Sequence, residues 1–150
     1  MVSHWISVEE ESEKAHNFNF GFMLKIKSVF DPIEKEDGLR ILATRFRGRG
    51  LSKDLCDVWM ANLGPTEKTL KAFQADKMSW EEFSKQYEKE LYYSFNLDKR
   101  NNTIFNHGQK FTLRLLKKLS EEQNVTLMCH CETGNPLCHV GILKKMIEKS

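Results

Sequence analysis

Apolar and polar positions first alternate in Phe22-Met-Leu-Lys-Ile-Lys-Ser-Val-Phe30, with Leu24 and Ile26 on one face and Lys25 and Lys27 on the other. That period of two predicts a strand, which Asp31-Pro32 stops before Asp37-Gly38 turns the chain. A second short apolar run, Leu39–Thr44, predicts another strand leading straight into Arg45-Phe-Arg-Gly-Arg-Gly50. Residues 51–63 carry Leu55, Val58, Trp59 and Leu63 on a helical or irregular packing face, closed by Gly64-Pro65. Leu70 and Phe73 mark a short helix that ends before Asp76. Ser79-Trp-Glu-Glu82 has the form of a capping box. Behind it Trp80, Phe83, Tyr87 and Leu91 recur at helical spacing, predicting a helix over 80–95. A further helix is expected over 103–119, with Phe111, Leu115 and Leu119 on its inner stripe. Val125-Thr-Leu-Met-Cys129 reads as a buried strand. The last helix presents Val140, Leu143, Met146 and Ile147, its start marked by Asn135-Pro136 as N-cap and first-turn proline. The order strand, strand, helices, strand, helix predicts an α/β fold: a single-domain, Rossmann-like sandwich whose small, mostly parallel sheet is flanked by helices.

Composition narrows this picture. The chain has 150 residues, 40% hydrophobic and 29% charged, which suits one globular domain and excludes a disordered polymer. The net charge of +2 is too small to argue a nucleic-acid or membrane surface by itself. It is unevenly spread: residues 1–20 carry Glu9, Glu10, Glu11 and Glu13 against Lys14, a local −3 that leaves +5 for residues 21–150. The first twenty residues therefore read as an acidic N-terminal arm, either mobile or a peripheral segment, and 21–150 as the folded domain. Neither a signal-peptide pattern nor an apolar run of about 20 residues is visible, so the expected compartment is the cytoplasm, with no membrane partner.

Chemistry concentrates in Cys129-His-Cys-Glu-Thr-Gly-Asn-Pro-Leu-Cys-His139, which follows a strand and opens a helix. Ligands of open α/β sheets bind beyond the carboxyl ends of strands. Cys131 stands at the strand end, and an N-cap at Asn135 puts Cys138 in the first helical turn, where free amides favour a thiolate. The catalytic candidates are accordingly Cys131 and Cys138 as nucleophilic or redox thiols, with His139 or His130 as base. Plain packing is the competing reading, since cysteine is among the most buried residue types. The spacing C-x-C-x6-C-H lacks the paired form of a zinc motif, so no metal ligand is assigned and the cofactor is left open. The string also resembles a cysteine-phosphatase loop, but Leu137 stands where such a loop needs arginine. Arg45 and Arg49 lie beyond a second strand and suit a phosphate or carboxylate; a solvated loop is the alternative. With parallel neighbouring strands the two loops emerge at one sheet edge, which predicts an anion-binding pocket lined by Arg45, Arg49, Cys131, Cys138 and His139. A cysteine-dependent enzyme and a nucleic-acid-binding module stay open beside it. Trp59, Trp80, Phe83 and Tyr87 are read as core rather than as stacking surface.

These motifs also carry a resemblance. Val29-Phe-Asp-Pro32, Asp37-Gly-Leu-Arg-Ile-Leu42, Arg45 and Arg49-Gly-Leu-Ser-Lys53 resemble the V-Y-D-P, D-G-x-R-x-L and D-R-x-W-P-R-G-L-S-K elements of the YeaO-like proteins of domain-of-unknown-function family 488. Trp59 with Leu63-Gly-Pro65, and Trp80-Glu-Glu-Phe83 with Tyr87, Glu90 and Leu91, continue the match in order and spacing over about residues 23–147. Thr44 stands where the family has Asp, Phe46-Arg47-Gly48 replace its Trp-Pro, and Val140 replaces the arginine of a C-H-R element seen in relatives of Cys138-His139. The resemblance implies a small cytoplasmic α/β domain of bacterial or archaeal type and no agreed activity.

Overall fold

The computed structural model describes residues 21–93, 95–98, 101–106 and 108–150. The acidic arm expected over residues 1–20 lies outside the described residues. Three strands, β1 (Leu24–Ser28), β2 (Leu39–Leu42) and β3 (Val58–Trp59), come first, joined by loops with short 3-10 turns. Then follow helices α1 (Glu67–Gln74) and α2 (Trp80–Leu91), the hairpin β4 (Phe95–Asp98) and β5 (Asn101–Asn106), helix α3 (Lys110–Glu122), strand β6 (Val125–Cys129) and helix α4 (His139–Lys149). The main sheet has the order β1-β6-β2-β3 and every pairing in it is parallel. Val125 is opposite Leu24 on one side and Leu39 on the other, so β6 is clamped between the two strands that the chain forms first. All five residues of β6 are buried, as a central parallel strand covered on both faces requires.

Alternation along the strands divides the core. Leu24, Ile41, Val125, Leu127 and Cys129 join Phe83, Tyr87, Leu91, Leu113, Leu116, Val140, Leu143 and Ile147 in one cluster between sheet and helices. Leu42 and Met128 point the other way and meet Val29 and Cys56, with Leu51 and Leu55 packed against them. That second face is partly polar. The buried Thr126 hydroxyl donates to the Asp37 carbonyl at 2.6 Å, and Lys27 Nζ donates to both Asp37 carboxylate oxygens at 3.0 and 3.1 Å. Gly38 closes this corner at φ +62, where an added Cβ would lie 2.0 Å from the Asn124 carbonyl oxygen; a side chain there is excluded both sterically and conformationally. The expected single-domain α/β architecture is therefore the one observed.

Three local expectations are corrected. Residues 103–106, expected to be helical, lie in β5, and the helix starts at Lys110. Asn, Thr, Ile and Phe in 101–106 are weak helix formers and the β-branched and aromatic ones favour strands. The inner stripe of α3 is Leu113 and Leu116, whereas Phe111 and Leu115 are exposed. Helix α2 ends at Leu91, and Phe95 belongs to β4. Trp59, expected in the core, is 44% exposed on edge strand β3, its indole N–H donating to the Thr44 carbonyl at 2.8 Å. Phe83 and Tyr87 are core as expected.

Candidate functional site

Because the sheet is parallel, the loops after β2 and β6 leave the same carboxyl edge from neighbouring strands. Two histidines bind them together. His130 Nε2 donates to the Arg47 carbonyl at 3.0 Å, with Phe30 beside its ring at 6.1 Å between centroids. His139 Nε2 donates to the Ala43 carbonyl at 2.5 Å and meets Tyr87 edge-on at 5.7 Å. Burial holds the His139 pKa below its ordinary value, the Ala43 carbonyl opposing it; the ring is neutral at pH 7, with Nδ1 as its basic nitrogen. Thr133 fastens the β6–α4 loop to β1, accepting from the Ser28 amide at 3.0 Å and donating to Asp31.

Helix α4 does not begin where Asn135-Pro136 predicts. Asn135 Oδ1 accepts from the Leu137 amide at 3.0 Å, a local turn that uses the side chain before the helix opens. Cys138 is the capping residue itself, with extended φ −112 and ψ 130, and His139 is the first helical residue. The consequence is an inward-set thiol: Cys138 is 7% exposed. The sulfurs of Cys129, Cys131 and Cys138 all lie within 4.8 Å of one another. Cys129 ends β6 at 2% exposure, and Cys131, on the loop, is half-buried. Cys129 and Cys138 also line a cavity of about 310 Å³, together with Ile26, Glu132, Thr133 and Asn135.

The thiols share protons unequally. A hydrogen bond from Cys138 draws the Cys129 pKa below the ordinary thiol value, against its burial and with help from the Cys131 backbone. The same contact, then burial, pushes the Cys138 thiol strongly up. Burial first, then Cys138, raises Cys131. The three thiols titrate as one coupled group rather than as independent sites.

Cys129 is the member that sequence reasoning left out of the site. Its signal was available: residues two apart at a strand end share a face, and Cys131 is two residues on. The arginines separate. Arg45 is half-buried, its Nε and Nη2 donating to the carbonyls of Pro65 at 2.7 Å and Gly64 at 2.9 Å. Arg47 donates to the carbonyls of Leu51 at 2.8 Å and Ser52 at 3.3 Å. Arg49 is exposed, between Gly48 and Gly50 at positive φ. Cys56 lies apart, against Val29, Leu42 and Met128.

The family model described as the active DUF488-N3 subclade matches residues 24–150, from the first residue of β1 through α4. This chain belongs to that subclade. Within the DUF488-N3 match fall both loops of the carboxyl edge and all three clustered thiols. The DUF488-N3 chain is also 39% identical over 70 residues to the uncharacterized protein YeaO of Escherichia coli (strain K12). That stretch is 45% of this chain, which thus spans about three-fifths (61%) of the curated relative's length. No solved structure matches the DUF488-N3 chain. Among its described residues, no helix is long and apolar enough to cross a membrane.

Proposed function

We propose that this protein is a cysteine-dependent oxidoreductase that exchanges disulfides at the carboxyl edge of its sheet. The observation that supports the reading is the approach of three sulfurs to within 4.8 Å, with one of them, Cys131, half-exposed on a loop. Cys131 is the accessible thiol: once it has given up its proton, which burial and Cys138 oppose, it attacks a substrate disulfide, forming a mixed disulfide and releasing one thiolate that takes up a proton. Cys138 then gives up its proton and attacks the Cys131 sulfur, closing an internal disulfide and releasing the second substrate thiol. The protein loses two electrons and two protons, and the substrate disulfide becomes two thiols. His139 Nδ1 is available as a proton acceptor, since its Nε2 is fixed on Ala43. Exposure of the reduced full-length protein to a small disulfide, followed by intact mass measurement and peptide mapping, tests this. The expected product lacks two hydrogens and joins Cys131 to Cys138; Cys138→Ser stops at the mixed disulfide, and Cys131→Ser forms none. Exchange confined to Cys56, or none at all, overturns the reading.

A second reading, binding of a phosphate- or carboxylate-bearing ligand, is favoured by Arg49 alone, whose guanidinium is exposed and has no hydrogen bond or ion pair among the described residues. Arg45 contributes to it less, because its fork is already turned onto two backbone carbonyls.

A further inference from the structure

We infer that Cys129, Cys131 and Cys138 form a three-thiolate site for one closed-shell, thiophilic metal ion, of the class of Zn²⁺ or Cu⁺. The inference uses the sulfurs of the exchange reading but none of its chemistry.

Zinc–sulfur bonds of about 2.3 Å place the sulfurs of a tetrahedral site roughly 3.8 Å apart. The three sulfurs here already lie within 4.8 Å of one another, so closure onto an ion needs movements of about 1 Å or less. Two ligands come from rigid positions, the last residue of β6 and the cap of α4. The third, Cys131, is on a half-buried loop, where such an adjustment is easiest. The Val140 backbone already hydrogen-bonds Cys138, the kind of outer support that orients the ligands of a metal site. Soft thiolates select zinc or cuprous ions over magnesium and calcium, which prefer oxygen. An ion bound here displaces the thiol protons and offsets the mutual repulsion of three thiolates. Since Cys129 and Cys138 border the cavity beside Glu132 and Asn135, a fourth position of the ion opens onto it, as in zinc sites that take an exogenous ligand.

The test is titration of the reduced, full-length protein with Cd²⁺ under anaerobic conditions, read by ultraviolet thiolate-to-cadmium charge transfer. Absorbance is expected to saturate at a single equivalent, to be displaced by Zn²⁺, and to be accompanied by proton release. Cys131→Ser, at the most accessible position, should weaken binding by at least about 100-fold, the upper end for losing a mere outer-shell partner. Cys56→Ser should leave it unchanged, and circular dichroism shows that each variant is folded. No charge-transfer band, or a band undiminished in folded Cys131→Ser, overturns the inference. The same preparations, freed of metal by a chelator, are assayed for disulfide exchange. Exchange without cadmium binding overturns the metal site alone, and cadmium binding without exchange overturns the exchange reading alone.

Discussion

Three residues separate Arg45, whose guanidinium grips the carbonyls of Gly64 and Pro65, from Arg49, which is exposed. Alanine at each position should give opposite results. Arg45→Ala strands two buried carbonyls and should lower stability by about 2 kcal/mol, within the range for hydrogen bonds to a charged donor. Arg49→Ala should change stability by no more than about 0.5 kcal/mol, while weakening any binding of inorganic phosphate seen in the parent protein. Urea denaturation and a phosphate titration followed by NMR measure both; a large stability loss at Arg49 would mean a structural role. Nothing in Arg-Phe-Arg-Gly-Arg announces that Arg45 is held, because its acceptors are the carbonyls of Gly64 and Pro65, about twenty residues away. The thiols were easier to find, being close in sequence. What the spacing concealed was their mutual geometry: a turn at Asn135 sets Cys138 inward at the helix cap, beside a cysteine that looks like ordinary strand filling.

Elements with one dominant period were legible: β1, β2, β6, α2 and α4 lie close to where their apolar positions put them. The Ser79–Glu82 capping box is present, Ser79 Oγ accepting from the Glu82 amide at 3.1 Å and Glu82 accepting from the Ser79 amide at 3.3 Å. The expectation of a helix over 103–119 extends the spacing of Phe111, Leu115 and Leu119 backwards through Gly108. That glycine has φ +61, and a Cβ there would lie 2.7 Å from the Leu91 carbonyl oxygen. Its conformation separates β5 from α3 and lets the Gln109 amide reach the same carbonyl at 2.8 Å. Gly108→Ala should therefore destabilise the protein by about 1–3 kcal/mol, combining left-handed strain with a backbone clash. Thermal unfolding of the pair checks this, and equal melting temperatures would contradict it.

For the molecule as a whole, strand order was the least legible property, since it depends on which strands the last one enters between, and no local pattern encodes that. The polar face of the sheet supplies a pH response. Burial of Asp37 opposes its ionisation, but the Glu34 amide and Lys27 outweigh it, leaving the pKa below the ordinary 3.8. A carboxyl with a depressed folded pKa stabilises the protein above its unfolded value and loses that contribution as pH falls through the folded one. Urea midpoints should accordingly drop between pH 5 and pH 3, and drop less in Asp37→Asn; an equal drop would remove Asp37 from the account. The central position of β6 also bears on biosynthesis. A ribosome emits β1, β2 and β3 first, yet β1 and β2 do not touch as partners; each pairs with β6, whose residues are about a hundred positions further on than β1. Until translation reaches Val125, the nascent chain holds two open strand edges and no sheet centre, so the sheet closes only after its last strand is made, through pairings of long sequence separation that form slowly. During that interval the exposed edges are targets for chaperones and for one another.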